Sequence, residues 1–187
     1  MVEPVNVVAG GSLNREVNLN ELCDDLAGVS DVSAEFAENA HWQLLIRFKE
    51  QEGMVILYRT GKYILRGGSS FDTLELAKER FIRLFTDIGI IESAAEITYS
   101  LQNIVSMENF EGKLDLAAVA VNLGLNNTEY EPEQFPGLIY RPDNFGVVML
   151  LFASGKAIIT GSTDINEIEE AVSSVGKQLR AATLLGS

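Results

Sequence analysis

The chain is written twice, and that constrains its fold more than any other feature. Asn6-Val7-Val8 returns as Asn103-Ile104-Val105, an offset of 97, each followed by a short polar loop and a helical pattern. The segment Tyr58-Arg59-Thr60-Gly61-Lys62-Tyr63-Ile64-Leu65-Arg66-Gly67 returns as Phe152-Ala153-Ser154-Gly155-Lys156-Ala157-Ile158-Ile159-Thr160-Gly161, an offset of 94. Two offsets so close mean a tandem duplication with a few loop residues gained or lost, divided here as residues 1–93 and 94–187.

Periodicity assigns the same elements to each copy. A strand over residues 5–9 leads into a helix over 19–26, and strands follow at 32–36, 42–48, 54–58 and 62–66. The second copy repeats this with a strand at 101–105, a helix at 114–123, and strands at 128–131, 138–141, 147–152 and 156–160. A longer helix closes each copy. Leu74, Ala77, Phe81, Leu84 and Ile88 form one apolar stripe, and Ile165, Ile168, Val172, Val175 and Leu179 form the other. Asp72-x-x-Glu75 and Asp164-x-x-Glu167 give these helices acidic first turns of capping-box type. The expected class is α+β: two halves whose antiparallel strands carry helices on one face. Runs such as Met54-Val55-Ile56-Leu57-Tyr58 and Val147-Val148-Met149-Leu150-Leu151-Phe152 are apolar on both sides. The face away from the helices therefore needs a partner or a further layer to cover it.

Composition removes whole classes of function. A single cysteine, Cys23, cannot form an internal disulfide, and a single histidine, His41, leaves no basis for a zinc or histidine-based catalytic cluster, so neither metal nor cofactor is expected. Asp24-Asp25 and Glu169-Glu170 are neighbours on expected helices and point apart, so nothing sets a general acid opposite a base. No apolar run is long enough to span a bilayer, and an unanchored, cytoplasmic chain is expected. The net charge of −13, from 14 basic and 27 acidic residues, argues against nucleic acid as a ligand. However, Arg47, Lys49, Arg59, Lys62 and Arg66 all fall in the strands and turns of the first copy, which leaves much of the acid to helices and loops.

Glu129-Tyr130-Glu131-Pro132-Glu133-Gln134-Phe135-Pro136-Gly137-Leu138-Ile139-Tyr140-Arg141, with Leu150-Leu151-Phe152-x-Ser154-Gly155-Lys156 and Ile159-Thr160-Gly161 after it, closely resembles the signature of the TATA-box-binding protein family, of archaeal type. The resemblance covers nearly the whole chain; the second copy matches tightly, the first in layout and at scattered positions. It implies a pseudo-twofold saddle of two tandem repeats, with a curved antiparallel sheet, helices on the convex side, and the concave side in the minor groove of double-stranded, A·T-rich promoter DNA. Architectural proteins of this kind, the family among them, insert apolar wedges that unstack base steps. By resemblance Phe135 and Phe152 are the second wedge pair, with Trp42 and Tyr58 standing where the first should be.

The same resemblance makes Asn6 and Asn103 donors to groove acceptors, and makes Val8, Ile56, Ile64, Val105, Leu150 and Ile158 the apolar floor that excludes the guanine amino group. Thr160 matches a groove-contacting threonine; its first-copy equivalent is Arg66, which either enters an electronegative groove or disturbs the register. Lys62, Arg141 and Lys156 match basic positions for phosphate, and Phe48 is taken as the counterpart of Arg141. The loop carrying Glu131, Glu133 and Gln134 resembles the family's stirrup for transcription factor B. The implied function is a non-catalytic initiation factor that bends promoter DNA and recruits transcription factor B and RNA polymerase. The changes at Trp42, Phe48 and Arg66 mark a divergent member. The alternative is a protein-interaction module that keeps the saddle, binds transcription factor B and does not bend DNA; self-dimerisation through the uncovered sheet is also expected when DNA is absent.

Overall fold

The computed structural model describes residues 2–38, 40–49 and 53–186, without the side chains of Leu185 and Gly186. Its strands are β1 (Glu3–Ser12), β2 (Val32–Ala37), β3 (Ala40–Phe48), β4 (Met54–Tyr58), β5 (Lys62–Arg66), β6 (Thr98–Asn109), β7 (Lys113–Leu114), β8 (Thr128–Glu129), β9 (Gly137–Tyr140), β10 (Val148–Phe152), β11 (Lys156–Ser162) and β12 (Leu185–Gly186). The helices are α1 (Leu19–Ala27), α2 (Phe71–Asp87), α3 (Leu116–Leu123) and α4 (Ile165–Ala181). They group into two compact units, Asn6–Gln102, and Met1–Val5 with Asn103–Ser187. The α+β architecture expected from periodicity is what forms.

In the unit Asn6–Gln102 the antiparallel order is β2-β3-β4-β5-β1, with α1 packed on β2 and β3 and α2 on β5. Alternation along each strand sorts the residues into two faces. Leu44, Ile46, Val55, Leu57, Tyr63 and Leu65 turn to the helices and are buried, meeting Leu22, Leu26, Leu74, Phe81 and Phe85. The rings of Tyr63 and Phe81 stand 4.6 Å apart and those of Phe81 and Phe85 4.4 Å apart. Burial pushes the Tyr63 phenol up to about 12, with the Tyr99 phenol adding to the shift, and its O–H donates to the Thr98 carbonyl at 2.8 Å.

The second unit repeats the plan: β6-β11-β10-β9-β8, with α3 against β8 and β9 and α4 against β11. Leu138, Met149, Leu151, Ala157 and Ile159 bury against Val119, Leu123, Ile168, Val172, Val175 and Leu179. Two features differ from expectation. The second-copy helix starts at Leu116, because Leu114 is drawn into β7, which pairs with β12. The cap of α2 is Ser70, whose hydroxyl accepts from Thr73 N–H in a Ser-x-x-Thr box, and not Asp72 with Glu75. Asp164 does cap α4, but Glu167 is diverted: its carboxylate accepts from Gly146 N–H at 2.7 Å and from the Ser162 hydroxyl, tying the β9–β10 loop to the helix. Those two donors hold the Glu167 carboxyl below its ordinary value.

Ser106 is fully buried beside Ile159, and its hydroxyl has no hydrogen-bond partner among the described residues. The first copy has Ala9 at the matching place, 97 residues earlier, so the hydroxyl is desolvated with nothing gained. Ser106→Ala is expected to stabilise the protein by about 1 kcal/mol, read as a rise in the midpoint of denaturant unfolding.

Candidate functional site

The faces opposite the helices are lined by half-buried apolar side chains. In the first copy a cross-strand row runs Leu45, Ile56, Ile64 and Gly10, and beside it a second row runs Arg47, Met54, Arg66 and Val8. In the second copy the corresponding row is Ile139, Leu150, Ile158 and Met107; beside it Val148 pairs with Thr160, after which the register of β11 against β6 shifts, with Val105 half-buried on β6. Among the site residues expected from sequence, Val8, Ile56, Ile64 and Arg66 share the first face. Val105, Leu150, Ile158 and Thr160 share the second. No helix among the described residues covers either one.

One edge of each face is marked by rings and a lysine. Tyr58 ends β4 and Lys62 opens β5, just as Phe152 ends β10 and Lys156 opens β11. Phe135 sits just before β9 and meets Phe152 edge to face, with ring centroids 5.9 Å apart. Its position is fixed locally: Gln134 and Phe135 N–H both donate to the Glu131 carbonyl at 2.9 Å. That turn also presents Glu131, Glu133 and Gln134 to solvent.

The register alters two of the equivalences read from sequence. Gln43 pairs with Tyr58 as Gly137 pairs with Phe152, so the counterpart of Phe135, two residues earlier, is His41 and not Trp42. The His41 ring meets Phe36 at 5.9 Å, while Trp42 is 61% exposed beside a recess lined by Glu16, Asn18 and Arg59. Likewise Arg47, and not Phe48, stands 94 residues before Arg141. The two arginines make matching ion pairs across a neighbouring strand, Arg47 with Glu35 and Arg141 with Glu129, the latter at 2.6 Å. Phe48 instead turns inward and carries the Arg80 guanidinium over its ring at 5.1 Å. The sequence signal for both equivalences is the constant offset of 94, which also relates Glu35 to Glu129 and Arg47 to Arg141.

The asparagines are not equivalent either. Asn103 donates to the Thr160 hydroxyl at 2.9 Å, and its side-chain oxygen accepts from Gly161 N–H at 3.0 Å. Asn6 lies opposite Arg66's end of the first copy and its amide has no partner among the described residues. Among those residues no cluster of His, Cys, Asp or Glu is arranged to hold a metal ion, and no helix is long and apolar enough to cross a membrane. Cys23 is half-buried, with its thiol 3.8 Å from the Ala34 carbonyl.

Two uncovered apolar sheet faces of repeated design, each edged by an aromatic ring and a lysine, define a duplicated protein of α+β type. The model of the family described as transcription factor TFIID, or TATA-binding protein, matches residues 1–88 and 98–182. The chain is 38% identical to TATA-box-binding protein C of Halobacterium salinarum, over 91% of this chain and 92% of that one. It is also 38% identical to TATA-box-binding protein 2 of Haloferax volcanii, over 99% and 96%. Its fold is similar to that of the solved Methanococcus jannaschii TBP, with a TM-score of 0.76, 27% identity, and coverage of 97% of this chain and 99% of that one. The chain belongs to the TATA-binding protein family.

Proposed function

We propose that this chain is a transcription initiation factor that lays its open faces in the minor groove of A·T-rich promoter DNA, bends the duplex and recruits transcription factor B. The observation that carries the reading is the Phe135–Phe152 pair at the edge of an uncovered apolar face. Flat apolar rings at such an edge are suited to enter a base step and unstack it. Leu150, Ile158, Ile56 and Ile64 offer no acceptor for the guanine amino group, which favours A·T pairs. Lys62 and Lys156 are exposed beside the rings and supply cations for phosphate. Glu131, Glu133 and Gln134 form the surface for transcription factor B. The relatives' names, TATA-box-binding protein, support DNA as the ligand.

The test is fluorescence energy transfer between the ends of a doubly labelled TATA duplex, across a salt series, with and without transcription factor B. Transfer is expected to rise with protein and to require more protein as salt increases, since each neutralised phosphate contributes a slope of roughly −0.9 in log affinity against log salt. Replacing Glu131 and Glu133 by lysine should abolish the ternary complex and leave the bent binary complex in place. A duplex that stays straight at every salt while transcription factor B still binds the protein would replace this reading with that of an interaction module.

A further inference from the structure

We propose that the first copy carries a site for a guanine nucleotide on the helix side of β3, built around Trp42. Trp42 alternates with Leu44 and Ile46, which are buried against the helices, so it lies on their side of the sheet and away from the open face. It is the chain's single tryptophan and is 61% exposed, although tryptophan is highly buried on average. Beside its indole is a recess of about 390 Å³, within the range of roughly 300–1,000 Å³ that holds small ligands. Two neighbouring segments bring opposite charges to that recess. Gln43 pairs with Tyr58, so one residue further along the ladder Trp42 comes level with Arg59. Val17 N–H donates to the Arg59 carbonyl at 2.9 Å, which sets Glu16 beside the same turn. Glu16 and Arg59 are both exposed, and among the described residues neither side chain has an ion pair or a hydrogen bond, with each other or with any other group.

A flat ring, a free carboxylate and a free guanidinium together suit a ligand with a flat face, an edge of donors and an anion. Guanine with a phosphate has all three. Its ring stacks on the indole as bases do on aromatic side chains. Its Watson–Crick edge presents N1–H and the N2 amino group, both donors, to the two oxygens of Glu16, which only accept. Adenine sets an acceptor, N1, beside its N6 amino group, and so offers a carboxylate one donor in place of two. The phosphate takes the forked donors of Arg59. The second copy shows that this chemistry does not come with the fold. There Leu114 N–H donates to the Ala153 carbonyl at 3.0 Å, the same bond as that from Val17 to Arg59. The residues at the places of Trp42, Arg59 and Glu16 are Pro136, Ala153 and Lys113. The scaffold is duplicated, while the stacking ring, the cation and the carboxylate belong to one copy.

Trp42 fluorescence reads the recess alone, since the chain has no other tryptophan. GDP is expected to quench it saturably, and ADP to bind about tenfold more weakly, the discrimination of one well-made pair of hydrogen bonds to a base edge. Glu16→Gln, whose side chain both accepts and donates, should erase that preference, and Arg59→Ala should bring GDP down to the affinity of guanosine. Trp42→Ala should abolish GDP binding measured by calorimetry and leave the thermal melt near that of the unaltered protein, because the side chain is mostly in solvent. A guanine in a single strand shares the chemistry of the free nucleotide. A single-stranded trinucleotide with a 5′-phosphorylated guanine that binds more tightly than GDP supports the site with a strand as its ligand, and weaker binding supports it with the free nucleotide. No saturable quenching by any of these probes, equal affinity for GDP and ADP, or GDP binding retained by Trp42→Ala overturns the inference. The minor-groove reading stands in each case, because the recess lies off the open face.

Discussion

Replacing Phe135 and Phe152 together by alanine is expected to leave an A·T-rich duplex straight and to lower affinity by about a hundredfold. The two rings meet edge to face at 5.9 Å and flank Gly137, so each fixes the other's place before any ligand arrives. A Cβ at Gly137 would approach the Phe135 ring to 2.7 Å and the Phe152 ring to 3.1 Å, which shows how closely the pair is set against the backbone. Unstacking a base step costs a few kcal/mol, and the intruding ring repays it through stacking and burial. Removing both rings withdraws that repayment, and about 3 kcal/mol corresponds to roughly a hundredfold in the dissociation constant. End-to-end energy transfer reads the bend, and competition binding reads the affinity. Both residues are only partly buried, so a thermal melt near that of the unaltered protein separates loss of the wedge from loss of fold. Retained bending by the double variant would remove the wedge mechanism.

Gly155→Ala and Gly61→Ala are each expected to destabilise the protein by about 3 kcal/mol. Gly61 has φ of +79° and Gly155 of +85°, in the turns that join β4 to β5 and β10 to β11. A side chain in that conformation costs about 1–2 kcal/mol. The space is also taken: a Cβ would lie 1.9 Å from the Arg15 carbonyl oxygen at Gly61, and 2.1 Å from that of Gly112 at Gly155. Backbone must then move in both turns, and forcing added bulk into a filled site costs about 1–3 kcal/mol more. For a chain of this size the sum lowers the melting temperature by about 10 °C, measured by circular dichroism. A loss under about 1 kcal/mol at either site would contradict the close approach seen in both copies.

The repeat carried most of what could be read from residues alone. Gly61-Lys62 and Gly155-Lys156 marked the same turn twice, and apolar spacing placed α2 and α4 within a few residues of where they form. Local chemistry is enough for such features, because a tight turn needs glycine whatever surrounds it and a helix must bury one stripe. Caps were less legible. Asp72-x-x-Glu75 is a sound local pattern, but Ser70 and Thr73 supply the box, two positions earlier. Asp164 and Glu167 also fit a box, and Glu167 left it for Gly146 and Ser162, partners 21 and 5 residues away.

Residue chemistry and spacing determined that this chain is a duplicated α+β protein, with apolar strands on both faces and one tightly matched family signature in its second copy. The offset of 94 already pointed to the first-copy residues that answer to that signature, and the strand register decided between them and their neighbours. The pairing of β3 with β4 put His41 opposite the role of Phe135 and Arg47 opposite that of Arg141, where the sequence had directed attention to Trp42 and Phe48. The physical reason is that a strand alternates its side chains every residue, so an error of one position exchanges the two faces. Hydrogen bonds to a neighbouring strand fix that position, and they join residues that local pattern does not connect.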